Sequence, residues 1–126
     1  MKIFLVIFSI LLSSNQQVDE IFIQSNNHYT NGNYEAALDG YFEIINSGFE
    51  SSELYFNLGN TFYKLNNIPE SNFYFEKALA ISPNDFDVIT NLSFAQNLRI
   101  DKIENLPVTQ IQNIKISILD LSLIHI

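Results

Sequence analysis

Residues 52–85 read SELYFNLGNTFYKLNNIPESNFYFEKALAISPND, and this stretch decides the fold. From Leu54 to Lys64 the large apolar residues fall at Leu54, Tyr55, Leu58, Phe62 and Tyr63. That spacing is the i, i+3, i+4, i+7 pattern of an amphipathic helix. Gly59 sits inside it, where it costs about 1 kcal/mol relative to Ala. A glycine there is explained if a second helix packs closely on the spot. Asn66-Asn67 breaks the pattern, and Asn67 suits the N-cap of a second helix. Pro69 falls in its first turn, where a missing N–H does no harm. The second helix carries Phe73, Phe75, Ala78, Leu79 and Ile81 and stops near Ser82-Pro83, since Pro disfavours helical geometry in the residue before it.

The landmarks of this pair are Tyr55, Leu58-Gly59, Phe62, Ser71, Phe75, Ala78 and Pro83. Their order resembles the tetratricopeptide repeat (TPR), a helix–turn–helix unit of about 34 residues. Only Ser71 departs, where the family carries Ala, and it is still small. The resemblance implies an all-α solenoid and assigns repeat packing to Ala37, Tyr41, Tyr55, Leu58, Gly59, Phe62, Phe75, Ala78 and Pro83.

One period earlier the same landmarks become Ile21, Gln24-Ser25, His28, Ala37, Tyr41 and Ile44. The second helix of this repeat matches well. Asn33 caps it, Tyr34, Ala37, Leu38, Tyr41, Ile44 and Ile45 form its apolar stripe, and Gly48 suits the residue after its end. The first helix is degenerate, as terminal repeats usually are, because one face has no neighbour. Gly32 falls in the tight turn, where a left-handed conformation is expected. One period later come Ile89, Leu92-Ser93 and Gln96, with Asn84 as the expected N-cap and Asp85 and Asp87 at the helix start. This helix is expected to end near Leu98, and no second helix follows it. The expectation is two full repeats plus a half repeat, about five antiparallel helices, with repeats at 18–51, 52–85 and 86–100 inside a domain spanning 17–100.

Residues 1–16, MKIFLVIFSILLSSNQ, hold one Lys and then an apolar run from Ile3 to Leu12 broken only by Ser9. The pattern is that of a secretory signal peptide and is short for a comfortable transmembrane helix. An uncleaved anchor and an ordinary buried helix are the other readings. Residues 101–126 are expected to be a linker and irregular tail. Within them Ile114, Ile116 and Ile118 alternate with Lys115 and Ser117 in a strand-like way.

The chain has 126 residues, 47% of them hydrophobic, which is enough for a core. Its formal net charge is −8, from 14 acidic and 6 basic residues. That balance argues against nucleic acid, or an anionic membrane, as the main partner. Without Cys there are no disulfides, thiol chemistry or cysteine zinc sites. His28 stands at an interhelix aromatic position and is expected to pack there; no second metal ligand is spaced to join it. Asn91-Leu-Ser93 is a formal glycosylation sequon inside an expected helix. No carboxylate pair or phosphate loop is legible either. The expectation is therefore a non-enzymatic protein without cofactor, metal or small-molecule substrate.

A second resemblance rests on SGFESSELYFNLGNTFYKLNNIPESNFYFEKALAISPND, residues 47–85, followed by DKIENLP, residues 101–107. With the apolar leader and the acidic repeats, it resembles the TPR protein of bacterial aerotolerance (Bat) operons, BatE type. In that family transmembrane helices and an SH3-like domain follow, so this chain is expected to be a truncated product. The resemblance implies an exported protein, periplasmic or associated with the bacterial inner membrane, and a possible membrane-protein complex.

In a TPR stack the first helix of each repeat lines the concave face. Here that stripe repeats as Asp19, Glu53 and Asp87, Phe22 and Phe56, Asn26 and Asn60, and Tyr29 and Tyr63. By resemblance, Phe22, Asn26, Tyr29, Phe56, Asn60, Tyr63 and Lys64 form a peptide-binding groove. Asn amides can pair with the N–H and C=O of an extended peptide, and aromatics supply contact area. Phe22 and Phe56 could equally be packing residues. With only Lys64 nearby, a carboxylate clamp is not expected; a neutral or basic peptide, or a flat protein surface, fits the charge. The alternative is a structural cap of a larger membrane-anchored protein, without peptide binding of its own.

Overall fold

The computed structural model describes residues 1–104, together with 109 and 112. The described chain holds five helices and no strand: α1 (Lys2–Thr30), α2 (Tyr34–Asn46), α3 (Ser52–Lys64), α4 (Ile68–Ile81) and α5 (Phe86–Glu104). Each helix packs on its sequence neighbour, and α3 also touches α5. Two helix–turn–helix pairs, α1–α2 and α3–α4, are followed by a single helix. The strand-like stretch at 114–118 lies outside the described residues.

The turns follow from backbone chemistry. Gly32 and Gly48 have φ of 79° and 90°, a left-handed region that side chains rarely enter. Asn66 holds the same region at 58°, as Asn tolerates better than most. Asn33 and Asn67 occupy the N-cap positions of α2 and α4 without a side-chain hydrogen bond. The caps that do bond are Ser51, whose Oγ accepts from the Leu54 N–H, and Asp85, whose Oδ1 accepts from the N–H groups of Asp87 and Val88. Asp85, and not Asn84, thus caps α5. Pro83 is exposed in the turn ahead of it, so this landmark shapes the chain and does not pack.

The core runs along the helix interfaces through Tyr41, Leu54, Leu58, Phe75 and Val88, with Ala37, Ala78 and Ala95 where helices approach closely. The central pair is the tightest. A Cβ on Gly59 would meet the Phe75 ring, and the Ser71 hydroxyl donates to the Gly59 carbonyl at 2.8 Å. Ser52 Oγ donates to the Ala78 carbonyl at 3.1 Å and ties the start of α3 to the end of α4. Phe73 and Ile81, expected in the stripe of α4, are each 50% exposed; Asn72 is buried instead.

The first pair reaches similar packing with different residues. Ser25 is buried where the second pair has Gly59, and Gly40 takes the place of Tyr74 and leaves room for the Ser25 hydroxyl. That exchange overturns the packing role of His28. Its counterpart Phe62 stacks on Tyr74 at 5.5 Å and 6°, but His28 faces a position without a side chain and is exposed.

Two helices run further than their hydrophobic patterns suggest. α1 passes unbroken through residues 16 and 17, and Met1 to Ile10 are exposed. Ser9 and Ser13 donate their hydroxyls to Val6 and Ile10 carbonyls, so neither interrupts the helix. α5 continues past Leu98 to Glu104, since no Gly or Pro occurs in that stretch. Among the described residues no helix is long and apolar enough to cross a membrane.

Candidate functional site

The first helix of each pair supplies one wall of a shared surface: the C-terminal half of α1, then α3, then α5. Their polar side chains are joined by asparagines. Asn57 Nδ2 donates to Asn26 Oδ1 at 3.0 Å, and Asn91 Nδ2 donates to Asn60 Oδ1 at 2.7 Å. The two pairs are related by one repeat and bridge α1 to α3 and α3 to α5. Asn26 Oδ1 also accepts from the Tyr41 hydroxyl at 2.7 Å. The second pair has no such support, because Phe75 stands where Tyr41 would.

These bonds set what the amides can still do. The Oδ1 of Asn26 and of Asn60 is engaged, which leaves the Nδ2 groups as donors. Asn57 and Asn91 have donated, which leaves their Oδ1 atoms as acceptors. Each pair therefore offers amide N–H donors on one residue and an Oδ1 acceptor on the other, the complement of a peptide C=O and N–H.

Beside the asparagines lie two cavities. The first, about 260 Å³, is lined by Asn26, Tyr29, Thr30, Tyr41, Glu53 and Asn57. The second, also about 260 Å³, is lined by Tyr29, Asn60, Tyr63, Lys64, Phe75, Asn91 and Phe94. Tyr29 lines both, so they adjoin. Five of the seven expected groove residues thus come together: Asn26, Tyr29, Asn60, Tyr63 and Lys64. Phe22 and Phe56 are half-buried and pack on the second helices, 6.0 Å from the rings of Tyr41 and Phe75 respectively. Phe22 also lines a third cavity with Asp19, Glu50 and Glu53.

Burial pushes the Tyr41 phenol up to about 12, with the Tyr29 phenol and Glu53 carboxylate adding to the effect against a hydrogen bond from Asn57. Burial, then Tyr34, raises Tyr29 as well. Both rings are neutral at physiological pH and serve as contact surface and hydrogen-bonding groups.

Asn57 and Asn91 escaped the sequence reading. They lie 31 residues from their partners, an offset that sliding by a whole repeat does not sample. The available signal was that Asn57 and Asn91 themselves recur one repeat apart. Asn91, inside α5 and bonded to Asn60, is also the sequon asparagine, so glycosylation there would break the pair.

The family model for the tetratricopeptide repeat matches residues 52–85, which supports a TPR protein. Repeats of this family generally bind protein partners and are typically not enzymes. No curated protein matches the chain in sequence.

Proposed function

We propose that this chain is an adaptor that holds an extended, neutral or basic peptide segment of a partner in the groove of α1, α3 and α5. The observation that carries the reading is the repeated asparagine pair, each copy with amide donors and an acceptor oxygen left over beside a cavity. A bound strand would place its backbone on the two pairs and its side chains in the cavities. Phe22 and Phe56 would act from behind, by fixing the helices that carry the asparagines.

The adaptor would work at a bacterial cell envelope, exported and either periplasmic or associated with the inner membrane. The apolar leader and the resemblance to Bat-operon TPR proteins support that location. Sequencing the N-terminus of the exported protein tests the leader: recovery of Met1 rules out cleavage.

A structural role is favoured by a separate observation. The face of α5 equivalent to the α3 face beneath α4 carries Ile89 and Gln96, and Ile89 is 44% exposed. Such a face suits a cap that packs on another part of a larger protein.

Panning displayed random octapeptides against the full chain distinguishes the two. The adaptor reading expects enriched sequences whose affinity falls at least about tenfold in Asn60→Ala combined with Tyr63→Ala, in keeping with losing hydrogen bonds and an aromatic contact. Enriched peptides that bind this variant as well as the parent overturn it, provided circular dichroism shows the helices intact.

A further inference from the structure

The geometry points to an arginine-selective subsite in the groove: the cavity between the first two repeats, walled by Glu53, Asn57, Asn26, Tyr41, Thr30 and Tyr29, takes a guanidinium side chain of the bound peptide. This inference rests on the peptide-groove reading and adds the side chain that the groove selects.

Hydrogen-bonding capacity and charge select the occupant. The Tyr41 hydroxyl is spent on Asn26 Oδ1, and the Thr30 hydroxyl on the Asn26 carbonyl. One Asn57 N–H is spent on Asn26 Oδ1. What is left for a ligand is the Asn26 Nδ2 donor against the Thr30 hydroxyl oxygen, Asn57 Oδ1 and the Glu53 carboxylate as acceptors, with Glu53 carrying a full negative charge. A wall rich in acceptors calls for a ligand rich in donors. Guanidinium presents five N–H groups in a planar fork and is always charged. The aromatic ring of Tyr29 adds a flat face on which a cation can rest. An ammonium would satisfy the charge but fewer of the acceptors.

Glu53 is exposed in the first turn of α3, and the helix dipole by itself favours an acid there. The dipole does not account for the acceptors gathered around the carboxylate. The surrounding charges also favour a cation at this point. Asp19 and Glu50 join Glu53 around the cavity on one side, whereas Lys64 lines the cavity on the other. The groove is therefore acidic at one end and basic at the other. A peptide with Arg in the first cavity would direct a neighbouring aromatic or acidic side chain toward Lys64, Phe94 and Tyr63.

The test uses fluorescein-labelled hexapeptides Ala-Ala-X-Ala-Phe-Ala, with X as Arg, its neutral isostere citrulline, or Glu. Anisotropy is measured against the full chain at low salt, where exposed charges are least screened. The expected result is an Arg peptide bound about tenfold more tightly than the citrulline peptide, a typical gain for a charge-assisted pair. Glu53→Gln should reduce that ratio to about twofold, and Glu53→Lys should make the Glu peptide the better ligand. Circular dichroism checks that both variants keep their helices. Equal binding of Arg and citrulline, or a ratio unchanged by Glu53→Gln, overturns the subsite. If the peptides bind without preference and Asn60→Ala still weakens them, the groove stands and the subsite alone falls. If none binds, both fall.

Discussion

Gly59 lies against the ring of Phe75: a Cβ added at position 59 would stand 2.5 Å from the ring's Cδ1. The ring is fully buried and the Gly59 carbonyl is held by Ser71, so neither side can yield cheaply. Gly59→Ala gains about 1 kcal/mol of helix propensity but overpacks the interface by about 1–3 kcal/mol. The net expectation is a loss of about 1 kcal/mol for Ala, and more than about 3 kcal/mol for Leu, which cannot fit at all. Thermal melts of the two variants followed by circular dichroism check the order. A Leu variant as stable as the parent would show that the helices can separate at this point.

The asparagine pairs should be energetically coupled across the repeats. Asn60→Ala and Asn91→Ala each remove one partner of the 2.7 Å bond. The double variant should be less damaged than the sum of the singles by about 0.5–1.5 kcal/mol, the usual net worth of such a bond. Asn26 and Asn57 should show a larger effect at Asn26, since its Oδ1 also holds Tyr41. Denaturant unfolding of the four chains of each cycle measures both. Strict additivity would mean that the amides do not meet in solution.

The succession of helices and the left-handed glycines were legible because they depend on local chemistry. Turn conformation, helix caps and apolar periodicity are properties of a few adjacent residues, and Gly32, Gly48 and Pro69 announce them. The exposure of His28 was not legible, since it depends on what lies opposite on another helix. A glycine at 40 in place of a tyrosine removes the stacking partner, and no pattern within α1 carries that information. The asparagine pairs failed for a related reason: a contact between neighbouring repeats joins non-equivalent positions. The continuation of α5 to Glu104 is not legible from apolar periodicity, which fades before the helix ends. A polar helix turn needs only adequate formers without a breaker, and Lys102 and Glu104 are good ones with no Gly or Pro between them.

Asn72 is 7% exposed and its Oδ1 has no hydrogen-bond partner. A buried acceptor left unsatisfied costs about 1–3 kcal/mol. The equivalent residue of the first repeat is Leu38, which shows that the scaffold accepts an aliphatic side chain of similar size there. Asn72→Leu is therefore expected to stabilise the chain by about 1–2 kcal/mol, and to raise the melting temperature by several degrees. A lower melting temperature would show that the oxygen has a partner in solution, such as water.

Tyr41 and Tyr55 make stability fall in alkali, and the sign follows from which state keeps the proton. Burial pushes both phenols up to about 12, with a hydrogen bond to Glu50 helping at Tyr55. In the unfolded chain they ionise near the ordinary value of 10. Below pH 10 both states hold the proton and the contribution is present in full. Between 10 and 12 the unfolded chain releases protons that the fold retains, so unfolding becomes easier as pH rises. The expected loss is on the order of 1–2 kcal/mol between pH 9 and pH 11. Urea titrations at those values measure it. General repulsion in this acidic chain also weakens the fold and grows as positive charge is lost in alkali, a contribution that stays the same whatever residue stands at 41 and 55. Replacing Tyr41 and Tyr55 together by Phe should flatten the decline, even though the variant starts lower for want of the Asn26 bond. An equally steep decline in the double variant would assign the alkaline transition to other groups, with Tyr29 and Tyr74, raised in the same direction, the next to replace.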